Sequence, residues 1–167
     1  MLFRSGNTLF ANMYLACETL SPKLRSMLDT LNALNDRGAA QNNRNVDPAR
    51  VAERLKLTPP VINPVVRVHP ETKRKALYIN PNVTTQFEHM TVAESRPLLE
   101  FLFAHSVKPQ FQWRHEWRVH DLVMWDNRCT MHLAPPDFDM SEPRYMMRTT
   151  IAGEPLGRLA TAEDLRV

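Results

Sequence analysis

His132 closes the stretch Trp125-Asp126-Asn127-Arg128-Cys129-Thr130-Met131-His132, and an acid-rich loop then leads to Arg144 and Arg148, four residues apart. A neutral imidazole is a ligand for transition metals. A guanidinium holds an anion such as a carboxylate through parallel N–H donors. If Arg144 and Arg148 share a strand, both point to one side, about 13 Å apart at ~3.3 Å per residue. Beside a histidine, such a pair could hold two different anions. The alternative is a surface role, with both arginines paired to Asp137, Asp139 or Glu142. The residue types alone leave the two readings level. A mononuclear metal site also needs more than one protein ligand, and His132 has no obvious companion.

Other reactive-looking residues point to structure first. His115–His120 reads HEWRVH, one residue too long for the H-E-x-x-H zinc signature, and it alternates like a strand. His69 is expected to be structural. Asp126 and Asn127 could orient His132 from behind or simply cap a turn. Trp113, Trp117 and Trp125 read as core, and Cys129 has no neighbour in sequence that would activate it.

The elements that must position these groups follow from periodicity. Residues 9–36 read as a helical region, with Ser21-Pro22 as an N-cap and first-turn pair. Leu24, Met27, Leu28, Leu31 and Leu34 follow at helical spacing. Residues 37–48 read as a polar loop and 48–56 as a short helix. Val65–Val68 and residues 75–80 read as paired strands joined by the turn PETKR. Thr91 and Glu94 form a capping-box pattern for a helix over 91–107. Its apolar face is Leu98, Leu99, Leu102 and Phe103, and Pro97 is expected to distort its first turns. After Pro109 the period falls to two. QFQWRHEW, DLVMWD and RYMMRTTIAG all read as strands. The expected fold is mainly β with flanking helices.

A chain of 167 residues with 43% hydrophobic and 23% charged residues can bury a sizeable core. Its net charge of +3 is scattered, which argues for neither nucleic acid nor a membrane surface as partner. Two cysteines are too few for a disulfide framework, so the cytoplasm is the expected location. No apolar run approaches the ~20 residues of a membrane span, and the N-terminus lacks the pattern of a secretory signal.

Four blocks together resemble, in order, the taurine dioxygenase family of Fe(II)- and 2-oxoglutarate-dependent oxygenases. They are NTLFANMYLACETLSPKLR, RVHPETKRKALYINPNVTTQF, ESRPLLEFLFAHS and LVMWDNRCTMH…RYMMRTTIAGE. The family also includes 2,4-dichlorophenoxyacetate and alkylsulfate dioxygenases, and the resemblance runs from Thr8 to about Pro155. It implies a double-stranded β-helix (jelly roll) and a facial triad of two histidines and a carboxylate around iron. Carried over residue by residue, it implies His132 as a metal ligand. Thr8 and Arg144 would bind 2-oxoglutarate, and Arg148 would bind the substrate's anionic group. A glycine is usual in the family where His120 stands, so His120 is expected in a turn. Met146 and Met147 depart from the family, in which a histidine often precedes the second arginine.

The family carries its first histidine and carboxylate as an H-x-D motif upstream of the threonine block. No H-x-D occurs in this sequence, and only seven residues precede Thr8. Residues 1–7 therefore read as a non-native or truncated start, 8–155 as the C-terminal part of one dioxygenase domain, and 156–167 as a tail. A partial jelly roll lacking its N-terminal strands is expected. The resemblance implies hydroxylation of a small, anionic organic substrate (a taurine-like sulfonate, sulfate ester or carboxylate). Succinate and carbon dioxide would be coproducts, O2 a co-reactant and a homo-oligomer an allowed assembly. The competing expectation is a short, non-catalytic binding or regulatory module without the iron site.

Overall fold

The computed structural model describes residues 6–37, 47–137, 145–154 and 156–165. By number of elements the chain is mainly β. Nine strands lie in three sheets beside four helices, among the described residues.

The region expected to be helical throughout divides into four elements. Thr8–Asn12 is strand β1, Met13–Glu18 helix α1, Pro22–Leu28 helix α2 and Asn32–Asn35 strand β2. The cause is tertiary. β1 is the centre of a three-stranded antiparallel sheet, flanked by β7 (Gln112–His115) and β8 (Thr130–Leu133), so its backbone bonds are satisfied sideways. The switch to helix is local, because the Asn12 carboxamide oxygen accepts from the Tyr14 and Leu15 amides as an N-cap. Ser21 caps α2 with Pro22 in its first turn, as expected.

β2 lies in a second sheet of order β6-β2-β3-β9, with β3 at Val61–Pro64, β6 at Thr84–Phe87 and β9 at Arg158–Leu159. The stretch expected as a tail therefore supplies β9. Gly157, at φ +76°, lets it approach, since a Cβ there would stand 1.9 Å from the Ile62 carbonyl oxygen. A hairpin of β4 (Val66–Val68) and β5 (Lys75–Leu77) pairs Val66 with Leu77, as the sequence suggests. Helix α3 covers Pro48–Leu57 and α4 covers Val92–Ser106.

The capping box of α4 is formed. The Thr91 amide donates to the Glu94 carboxylate at 2.8 Å, and the Glu94 amide donates back to the Thr91 hydroxyl at 3.2 Å. The helix runs unbroken through Pro97. It lays Leu99 and Leu102 into a core shared with Ala16, Cys17, Leu28, Val65, Leu77, Phe87 and Phe111. α1 packs against β5 and α4. Helices α1 and α4 thus back β5 and β6, and the core holds β1 and the hairpin in one body.

Two expected strands are absent. Residues 121–126 and 145–150 adopt no regular structure, and Leu122, Met124, Tyr145 and Met147 are between 86% and 103% exposed. Alternation makes a strand only where a neighbour offers backbone donors and acceptors. Among the described residues none does so for these segments. Arg148 accordingly does not sit on a strand.

Candidate functional site

Side chains directly opposite one another in an antiparallel sheet share a face. In the β7-β1-β8 sheet, Thr8 faces His115, and Phe10 faces both Trp113 and His132. Thr8 and Phe10 are two residues apart and so lie on one face. Thr8 and His132 are therefore diagonal neighbours across β1 and β8, at a Cα spacing of roughly 7–8 Å. The resemblance assigns these two residues to cosubstrate and metal, and the fold brings them together.

An aromatic layer fills the space between them. Phe10 is buried and stacks on Trp113 at 5.5 Å, meets Trp125 edge-on at 5.2 Å, and lies 6.4 Å from the His132 ring. Trp125 packs on His132 at 5.0 Å. His132 is exposed as a residue, yet one side of its ring lies against this layer. That desolvation, and secondarily the Arg148 cation, push its pKa below the ordinary histidine value. The neutral imidazole, the form that binds a metal, is thereby favoured.

Thr8 is buried, and its hydroxyl oxygen accepts from Trp117 Nε1–H at 2.9 Å. An indole N–H can only donate, so the threonine keeps its own O–H to offer an acceptor such as a carboxylate. His115, beside Thr8, packs between Trp113 and Trp117. Its Nε2 lies 3.1 Å from Asp121 Oδ2 at an angle that makes no hydrogen bond.

Arg148 is exposed and forms no ion pair with another described residue. Asp137, one of its candidate surface partners, is instead held by the Arg114 guanidinium and the Asn7 amide. Arg144, Asp139 and Glu142 lie outside the described residues.

Several expectations need correction. Asp126 caps a turn, accepting from the Arg128 amide at 2.8 Å, and does not reach His132. Its carboxylate accepts from His69 Nε2 at 3.0 Å and from the Arg128 guanidinium at 2.6–2.9 Å. Asn127 accepts from Trp125 Nε1 at 2.9 Å. Trp113 is 58% exposed rather than core, because its strand is at the edge of the sheet. β7 ends at His115, so HEWRVH is strand only at its first residue, and no helix forms there. His120 does lie in a turn, at φ +74°, where glycine is the residue without strain.

His69-Pro70-Glu71 is an H-x-E sequence. It lies downstream of Thr8, on the β4–β5 turn. His69, Asp126 and Cys129 bring three metal-capable atoms within 4.8 Å of one another. Hydrogen bonding decides against a metal there. His69 Nδ1 accepts from the Glu71 and Thr72 amides at 3.3 and 3.2 Å, so Nε2 carries the proton and donates to Asp126. Asp126 is in turn filled by Arg128. The cluster is a hydrogen-bonded lock.

The fit of the described residues to a mononuclear iron centre is partial. His132 offers one imidazole on the face that holds Thr8. His115, on the far side of β1, is roughly 12 Å away between Cα atoms, by two strand spacings and two residues. Its ring is packed between Trp113 and Trp117. Two further ligands would have to come from outside the described residues. What could have been read earlier is the period-two run Trp113, His115, Trp117, which marks the lining around Thr8.

Residues 4–150 match the family model described as taurine catabolism dioxygenase TauD, TfdA family. The chain is 38% identical over 149 residues to an alpha-ketoglutarate-dependent 2,4-dichlorophenoxyacetate dioxygenase of Cupriavidus pinatubonensis, covering 87% of this chain and 50% of that protein. It is 33% identical over 162 residues to an (S)-phenoxypropionate/alpha-ketoglutarate-dioxygenase of Sphingobium herbicidovorans, covering 94% and 56%. The crystal structure of AAD-2 in complex with Mn(II) and N-oxalylglycine superposes with a TM-score of 0.78 at 35% identity, covering 92% of this chain and 59% of that one. The chain thus spans about half the length of these curated relatives.

Proposed function

Because the chain belongs to the taurine catabolism dioxygenase TauD, TfdA family, we propose that its residues form the C-terminal part of an Fe(II)- and 2-oxoglutarate-dependent oxygenase. The substrate is a small organic anion, hydroxylated with O2 while 2-oxoglutarate is converted to succinate and carbon dioxide. The observation that carries this reading is the placement of His132 and Thr8 on one sheet face, either side of Phe10. In it His132 is one iron ligand, Thr8 and Arg144 hold 2-oxoglutarate, and Arg148 holds the substrate's anionic group. The names of the phenoxypropionate and dichlorophenoxyacetate relatives support an anionic substrate.

Iron supplies the activation of O2; the protein's part is placement. Thr8 donates its hydroxyl hydrogen to a cosubstrate carboxylate while Trp117 fixes the oxygen from behind. The aromatic layer keeps His132 neutral and aimed, and it excludes water from one side of the imidazole. Arg148, exposed and without a described ion-pair partner, is available to an anion. The unpaired cysteines, Cys17 and Cys129, support a cytoplasmic setting.

The test begins with the reading frame upstream of Met1. A continuous frame encoding H-x-D or H-x-E should yield a protein that consumes O2 and 2-oxoglutarate when given Fe(II) and a phenoxy acid, sulfonate or sulfate ester. If that protein, folded and iron-loaded, consumes no 2-oxoglutarate with any of these substrates, the proposal fails. The two imidazoles on the site face, His132 and His115, stand roughly 12 Å apart between Cα atoms, and this separation favours a second reading, a non-catalytic anion-binding module. A stop codon upstream, together with 2-oxoglutarate binding that needs no metal, would establish that reading instead.

A further inference from the structure

The β4–β5 turn and the loop ahead of β8 are far apart in sequence, yet polar side chains join them. His69 is 4% exposed. Its ring is fixed on one side by the Glu71 and Thr72 amides and donates on the other to Asp126, at 3.0 Å. Arg128 grips both Asp126 and, at 3.0 Å, Glu71, so that the turn is tied twice to the loop. Tyr14 closes the arrangement. Its hydroxyl lies 2.8 Å from the Thr72 hydroxyl, and its ring lies edge-on to His69 at 6.0 Å. The Met13 amide donates to the Cys129 carbonyl at 3.0 Å, docking the same loop onto the end of β1.

The consequence falls on two residues of the site. Trp125 directly precedes Asp126 and carries the ring that packs on His132 at 5.0 Å. β8 begins at Thr130, two residues after Arg128, and holds His132 opposite Phe10. Fixing Asp126 and Arg128 therefore fixes both the indole above His132 and the start of the strand that carries it. We propose that His69, Asp126 and Arg128 are positioning residues for His132. The β4–β5 turn acts through them to hold the Trp125 indole and the His132 imidazole in mutual register.

The significance of that position rests on the oxygenase reading, but the position can be measured without metal or 2-oxoglutarate. The chain is labelled with 13C-histidine, and the ring signals of His132 and His105 are followed at one fixed, mildly alkaline pH. His105 is an internal control. It is buried against α1, with Nε2 2.9 Å from the Ala16 carbonyl oxygen and 3.2 Å from the Thr19 hydroxyl, away from the lock. The Trp125 indole displaces the His132 signals from those of free histidine. Asp126→Asn keeps the shape of the side chain but breaks the charge pair with Arg128. It is expected to move the His132 signals by several linewidths toward free histidine while those of His105 stay in place. His69→Gln keeps an N–H that can reach Asp126, so a smaller displacement in the same direction is expected.

Unmoved His132 signals in both folded variants would overturn the proposal, even if their melting temperatures drop. Collapse of the His105 signals along with those of His132 would also overturn it, because the cluster would then serve folding as a whole. Since no iron chemistry enters the readout, these outcomes are independent of whether the upstream frame yields an active oxygenase.

Discussion

Phe10 adjoins both Thr8 and His132 on the site face, so the worth of that aromatic layer can be measured at one position. The side chain is 6% exposed and contacts Trp113 and Trp125 in stacked and edge-on geometry. Replacing it with alanine removes buried surface and opens a cavity, for which about 3–5 kcal/mol is the usual cost. Phe10→Leu retains most of the apolar volume and loses the ring pairs. Two such pairs are worth ~0.5–1.5 kcal/mol each, so about 1–3 kcal/mol should be lost. Urea unfolding followed by far-ultraviolet circular dichroism gives both values from the shift in midpoint at constant slope. Tryptophan emission should shift in Phe10→Leu as the Trp113 and Trp125 environments loosen. If Phe10→Leu unfolds within ~0.5 kcal/mol of the parent, a surface-like effect, the rings do not form an organised layer. The placement of His132 would then rest on the backbone register alone.

Four further outcomes follow from the same geometry. Ser95 is fully buried and its hydroxyl accepts from the Phe87 amide at 2.9 Å, so Ser95→Ala should cost about 1–3 kcal/mol by stranding that N–H, read by chemical denaturation. His120 pays the left-handed penalty at φ +74°, so His120→Gly should keep or raise the melting temperature, whereas His120→Val should lower it. Hydrogen bonds from Arg128, joined by His69 and opposed by burial, hold the Asp126 carboxyl well below the usual carboxylate range. The unfolded value is ~3.9, so this contribution is complete above that pH and is lost as pH falls below it. Asp126→Asn should consequently show a shallower loss of stability between neutral pH and about pH 3. In the complete oxygenase, Arg148→Ala should raise KM for an anionic substrate with little change in 2-oxoglutarate affinity. The opposite pattern in steady-state kinetics would mean that Arg144 and Arg148 have exchanged roles.

Where local chemistry decides, the sequence was legible. Thr91 and Glu94 announced the start of α4, Ser21-Pro22 that of α2, and Val65–Val68 with residues 75–80 the hairpin. Where a distant neighbour decides, it was not. Leu9-Phe10-Ala11 fits a helical period as well as a strand, and only the flanking β7 and β8 resolve the ambiguity. Leu34 likewise continues the spacing of α2 but pairs with Ile62 and Gln86 in the second sheet. The diagonal placement of Thr8 and His132 was implied by resemblance and had no local signature. Asp126 looked equally suited to supporting His132 or capping a turn. It does cap its turn, accepting from the Arg128 amide at 2.8 Å, and it is also a partner of His69 because the β4–β5 turn folds back onto it, a contact across 57 residues.

The unpaired segments on either side of β8 follow the same rule from the opposite direction. Residues 121–126 and 145–150 carry strand-like alternation, yet Leu122, Met124, Tyr145 and Met147 lie open to solvent. A sheet edge with exposed apolar flanks is a surface that strands pair with. These segments bracket His132 in sequence, so strands added there would close over the site face and lie within reach of its imidazole. On the proposed reading His132 is one metal ligand, and further ligands would come from a polypeptide that completes this face. On that reading one added polypeptide would both extend the sheet and supply the further ligands. A protein carrying that polypeptide should order 121–126 and 145–150 into strands and gain metal binding in the same step. Hydrogen exchange on those amides, with and without metal, would reveal whether the two events are coupled.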